Sequence, residues 1–104
     1  MATWVLSPVA ESELADILDY IADNSGSRRV VENVLTDFVK AFEELAASPG
    51  IGFRRPQLTG RDVRWWPVHS YLVVYDPRAI PLRVLRVLHG ARDLKLLFET
   101  DQEG

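Results

Sequence analysis

Two amphipathic stretches joined by a three-residue break constrain this chain more than any other feature of its sequence. Ala10, Leu14, Ile17, Leu18 and Ile21 recur at intervals of three and four, while Glu11, Glu13, Asp16, Asp19 and Asp23 take the other side. That pattern is a helix with one apolar face. Ser7 reads as its N-cap, Pro8 as its first residue and Asn24-Ser25-Gly26 as its end. Ser27 then caps a second helix whose stripe is Val31, Val34, Leu35, Phe38, Phe42 and Leu45, and which stops at Ser48-Pro49-Gly50. So short a connection makes the helices antiparallel neighbours, a hairpin that needs something flat to cover.

The rest of the chain supplies a sheet. Trp4-Val5-Leu6 is a short first strand, and a turn-rich basic loop runs from Ile51 to Arg61. Three stretches with strand character follow, Val63–Val68, Tyr71–Tyr75 and Leu82–His89. His69-Ser70 is a tight turn and Asp76–Pro81, with two prolines, a wider one, so these three form an antiparallel meander. In the last of them Leu82, Val84, Leu85, Val87 and Leu88 occupy both parities, which implies burial on both faces and an interior place in the sheet. After Gly90, Ala91–Phe98 reads as a short helix or extended tail with an apolar side. The expected class is α+β: an N-terminal strand, an antiparallel helical hairpin on an antiparallel sheet of about four strands, and a short C-terminal helix, in one domain spanning residues 1–104.

Composition narrows the function. With 47% hydrophobic and 26% charged residues the chain can build a core. It has no cysteine, which excludes disulfides, cysteine-ligated zinc, iron–sulfur clusters and thiol nucleophiles. The two histidines, His69 and His89, have no metal-ligand spacing, so neither metal nor cofactor is expected. The N-terminus lacks a basic region followed by an apolar run, and no stretch approaches the roughly 20 apolar residues of a membrane span. A cytoplasmic protein with no membrane role is the expectation.

The net charge of -3 conceals a partition. Residues 1–50 carry nine acids and three bases, whereas residues 51–95 carry nine bases, Arg54, Arg55, Arg61, Arg64, Arg78, Arg83, Arg86, Arg92 and Lys95, against Asp62, Asp76 and Asp93. A block rich in arginine marks a surface for phosphate or carboxylate, or else solvated strand edges. Arg86 is the pointed case, because a charge in the most apolar strand must either pair, with Asp62, Asp76 or Asp93, or face an open surface. Arg64 opens its strand beside Trp65 and Trp66, of which alternation buries one and leaves the other, Trp66, as a candidate contact. His89 is a candidate acid or base whose only nearby carboxylate in sequence is Asp93.

Four segments carry a resemblance. Leu45-Ala46-Ala47-Ser48-Pro49-Gly50-Ile51-Gly52-Phe53-Arg54-Arg55, Gly60-Arg61-Asp62-Val63-Arg64, Tyr71-Leu72-Val73-Val74-Tyr75 and Leu85-Arg86-Val87-Leu88-His89-Gly90-Ala91-Arg92-Asp93 resemble the ParE/RelE superfamily of type II toxin–antitoxin toxins, with the last the most specific. The likeness spans nearly the whole chain and includes the order of elements.

The resemblance implies a toxin neutralised by a small cognate antitoxin. Its ParE-like branch implies inhibition of DNA gyrase by binding, with Arg54, Arg55, Arg61, Arg64, Trp66, Arg86, His89 and Arg92 as candidate contacts and no catalytic residue. Its RelE-like branch implies an endonuclease that cuts mRNA on the ribosome, with Arg64 and Arg86 on the phosphate and His89 as proton donor. Such a nuclease also needs a base, yet residues 51–95 hold no glutamate and one lysine, Lys95, leaving Asp62 or His69 for that role. A pI near 5.3 points the same way, since an acidic protein meets ribosomal RNA against net repulsion. The ParE-like reading is therefore preferred, and a non-toxic interaction or co-repressor module of the same fold is the third alternative.

Overall fold

The computed structural model describes residues 3–54 and 62–90. The chain opens with strand β1 (Trp4–Leu6), helix α1 (Pro8–Ser25) and helix α2 (Arg28–Ala47). A 3-10 turn over Pro49–Ile51 leads into β2 (Phe53–Arg54), followed by β3 (Arg64–Val68), β4 (Tyr71–Asp76) and β5 (Leu82–Leu88). Both helices begin where side-chain capping dictates: the Ser7 hydroxyl accepts from the Ala10 N–H and that of Ser27 from the Val30 N–H. Helix α1 ends at Gly26, whose left-handed φ of 62° lets its N–H reach the Ala22 carbonyl.

Among the described residues the sheet has five strands in the order β1-β5-β4-β3-β2. The meander β3-β4-β5 is antiparallel as its turns dictate, and β5 is interior, between β1 and β4. Two features extend the sequence reading. Strand β1 joins β5 in parallel, because α1 and α2 carry the chain across the sheet before it returns, so the sheet is mixed. Strand β2 is only two residues long and lies inside what reads as a loop; too short for an alternation to register, it pairs Phe53 with Trp65 and Arg54 with Arg64. The expected C-terminal helix lies outside the described residues.

The hairpin covers one face of the sheet. Ala10, Leu14 and Ile17 of α1 and Phe38, Ala41, Phe42 and Leu45 of α2 pack on Val68, Tyr71, Val73, Tyr75, Leu82, Val84 and Val87. A second apolar cluster holds Val63, Trp65, Val74 and Leu88, with Leu72 and Leu85 against it. These two clusters explain the double parity of β5, aided by a register shift between Val74 and Tyr75. At that bulge Tyr75 faces Val84 and Val74 faces Arg86, so the alternation slips by one residue and Val87, not Arg86, turns toward the helices.

Candidate functional site

Strand β1 ends at Leu6 opposite Val84, so β5 continues past it with an uncovered edge. Helix α1 closes that edge with side chains. The Ser7 N–H donates to the Val84 carbonyl at 2.9 Å and the Ser7 hydroxyl to the Leu85 carbonyl at 2.8 Å. Six residues on, Glu13 Oε1 accepts from the Val87 N–H at 3.0 Å and from Arg86 Nε at 3.0 Å, while Oε2 accepts from Arg86 Nη2 at 2.8 Å. A single carboxylate thus stands in for the missing strand and grips the guanidinium bidentately. The Arg86 side chain is 44% exposed and that of Glu13 22%.

The sequence pairs Arg86 with Asp62, Asp76 or Asp93, or else opens it to a surface; in the structure Glu13 of α1 holds it while leaving it close to half exposed. Asp62 instead links Arg78 at 2.7 Å and Arg54 at 3.7 Å, and Asp93 lies outside the described residues. Glu13 reads as a member of the polar face of α1, but it stands three residues after Ala10 and four before Ile17, both buried. That places it on the seam between the apolar and polar faces, the one signal that could have found it.

At the opposite side of the sheet a clasp holds the crossover from α2. The Tyr75 hydroxyl, on a fully buried side chain, donates to the Pro49 carbonyl at 2.6 Å and accepts from the Gly52 N–H at 3.0 Å. Burial pushes the Tyr75 phenol above its ordinary value, against smaller lowering effects from the Gly52 hydrogen bond and the Arg64 charge. Arg64 Nη1 donates to the Gly50 carbonyl at 3.2 Å and the Gly52 carbonyl at 2.9 Å. Its guanidinium is therefore applied to the protein's own backbone. Gly52 is required by space rather than by φ, since a Cβ there would be driven into the Tyr75 hydroxyl.

The adjacent tryptophans divide as alternation demands. Trp65 is buried in the second cluster, with its indole N–H lacking a hydrogen-bond partner among the described residues, while Trp66 is half-buried against the helix-side core and stacks on Phe53. His89 lies just beyond β5, exposed, with its ring edge-on to Tyr71 at 5.3 Å. Burial, and then the neighbouring Tyr20, raise the Tyr71 phenol. His69, in the β3–β4 turn, meets Asp37 of α2 at 2.7 Å. Strand β5 therefore brings Arg86 and His89 to the end of the sheet nearest α1, whereas Arg54 and Arg64 sit at the β2 side. Arg55, Arg61 and Arg92 lie outside the described residues. Among the described residues no cluster of three metal-ligating side chains occurs and no helix is long and apolar enough to cross a membrane.

Comparison with known proteins agrees with this architecture. The chain resembles a solved structure described as a chromosomal ParDE toxin–antitoxin system from P. aeruginosa, with a TM-score of 0.69 and 17% sequence identity over 86% of this chain and 97% of that one. At that identity the likeness is one of fold. Among curated proteins none matches at a significant level. A family model, the ParE toxin of the parDE type II toxin–antitoxin system, matches residues 5–94, from within β1 to beyond β5. On that match the chain belongs to the ParE toxin family of type II toxin–antitoxin systems.

Proposed function

We propose that this protein is the toxin half of a two-component module, acting in the cytoplasm by binding DNA gyrase and stalling its cycle, and neutralised by a cognate antitoxin. Membership of the ParE family carries the reading. The site geometry supports binding over cutting. A nuclease would turn strand arginines onto a scissile phosphate, but Arg64 is applied to the Gly50 and Gly52 carbonyls and Arg86 is gripped by Glu13. Arg86, close to half exposed, can still present part of its guanidinium to a protein carboxylate.

An antitoxin partner is supported by the ParDE system to which the fold is similar. Support also comes from the hairpin, whose acidic helices leave Tyr20, Val30 and Leu35 exposed, apolar surface suited to an amphipathic partner segment. Induced expression should arrest growth, co-expression of the antitoxin should restore it, and mapped mRNA ends should stay unchanged. Arg86→Ala, in a protein that remains folded, should weaken the arrest. New mRNA ends that depend on translating ribosomes would overturn the gyrase reading in favour of an endonuclease.

A further inference from the structure

From the face of the sheet turned away from the hairpin, we infer that the chain covers itself there with its own segment Ala91–Phe98, anchored by Leu94 and Phe98. That face carries the second apolar cluster, whose members all lie on or beside the meander: Val63 before β3, Trp65 on β3, Leu72 and Val74 on β4, Leu85 and Leu88 on β5. Neither helix contributes a residue to it, because both pack on the opposite face. Yet Trp65 is only 2% exposed, Leu88 3%, Val74 6% and Val63 8%. Strand neighbours shield a side chain from the flanks and leave its top open, so burial this complete requires a second layer over the sheet. Among the described residues nothing supplies that layer.

Composition identifies the occupant. Beyond Met1 and Ala2, two stretches lie outside the described residues, 55–61 between β2 and β3 and 91–104 after β5. The first has one large apolar residue, Leu58, and its flanking Arg54 and Asp62 are drawn together as an ion pair at 3.7 Å. The second holds Leu94, Leu96, Leu97 and Phe98. Helical spacing groups Leu94, Leu97 and Phe98, and extended spacing groups Leu94, Leu96 and Phe98, so Leu94 and Phe98 share the apolar side under both. The point of departure agrees. Leu88, the last residue of β5, stands opposite Leu72, and Gly90 lies so close to the Ser70 carbonyl that a Cβ there would collide with it. The chain therefore leaves β5 beside the β3–β4 turn, at the rim of the cluster that needs a cover. The contact is internal to the chain and does not depend on what the toxin binds.

The test is made by NMR on the purified full chain. In the wild type, nuclear Overhauser contacts from the Trp65 indole and from the Val74 and Leu88 methyls should reach the side chains of Leu94 and Phe98. Contacts to Leu58 in their place, or to neither stretch, would overturn the inference. Hydrogen exchange of the Trp65 indole N–H gives a second readout, because that group is buried beneath the cover. Leu94→Asp and Phe98→Asp should each speed its exchange severalfold while the α2 amides keep their wild-type protection, and Leu58→Asp should leave it unchanged. An indole proton that keeps the wild-type rate in both folded variants would also overturn the inference. Should a variant lose its α2 protection as well, the contacts seen in the wild-type chain decide.

Discussion

Tyr75 shows how one side chain can fix a crossover. Its hydroxyl satisfies a carbonyl on Pro49 and an N–H on Gly52. Tyr75→Phe keeps the ring and removes both bonds, so it should destabilise the protein by about 1–3 kcal/mol, measurable as a lowered denaturation midpoint with an unchanged denaturant slope. Gly52→Ala should do harm at the same place by steric means, since a Cβ has no space beside that hydroxyl. The same phenol predicts an alkaline limit. Because burial raises the Tyr75 and Tyr71 pKa values, the folded state holds those protons more tightly than the unfolded chain. Stability is fully present below the ordinary tyrosine value of about 10 and declines as pH rises above it toward the folded values. A series of thermal midpoints above pH 9 should show this decline, and Tyr75→Phe should flatten it.

At the scale of elements, the junction of α1 with β5 carries the unusual chemistry. Glu13 answers both the Val87 N–H and the Arg86 guanidinium, so Glu13→Ala leaves a part-buried donor without this acceptor and removes the carboxylate that grips a half-exposed charge. The lost N–H acceptor dominates, at about 1–3 kcal/mol, because the exposed part of the ion pair is screened by water. Glu13→Gln should cost less, since an amide oxygen can still accept from Val87. Equal losses for Ala and Gln, measured by denaturation, would show that the charge and not the N–H contact matters. Much of this level was legible in advance. Two caps, two helical stripes and three strands stand where Ser7, Ser27 and the alternating residues place them, because each signal is local. The partner of Arg86 was not legible, for it lies 73 residues away on a different element and its seam position looks polar in a helical pattern. Strand β2 escaped for a different reason: two residues carry no periodicity, and pairing with β3 alone defines them.

Across the whole molecule, charge and fold divide the same way. The acidic half of the sequence forms β1 and the hairpin, and the basic half forms the meander, so the chain presents an acidic helical layer and an arginine-rich sheet. Two unlike surfaces fit the proposed reading, in which the protein meets an antitoxin and a target. The role of each candidate arginine was the least legible part of the sequence, since Arg64 and Arg86 read alike as strand arginines. In the fold Arg64 braces backbone carbonyls, while Arg86 is held by Glu13, the carboxylate that closes the edge of β5.

The central claim, a toxin that acts by binding gyrase and is masked by its antitoxin, is tested most directly by DNA supercoiling with purified gyrase and increasing amounts of the folded protein. The account predicts dose-dependent inhibition that the antitoxin reverses and that Arg86→Ala weakens. Full supercoiling activity at every concentration of the folded protein would contradict it.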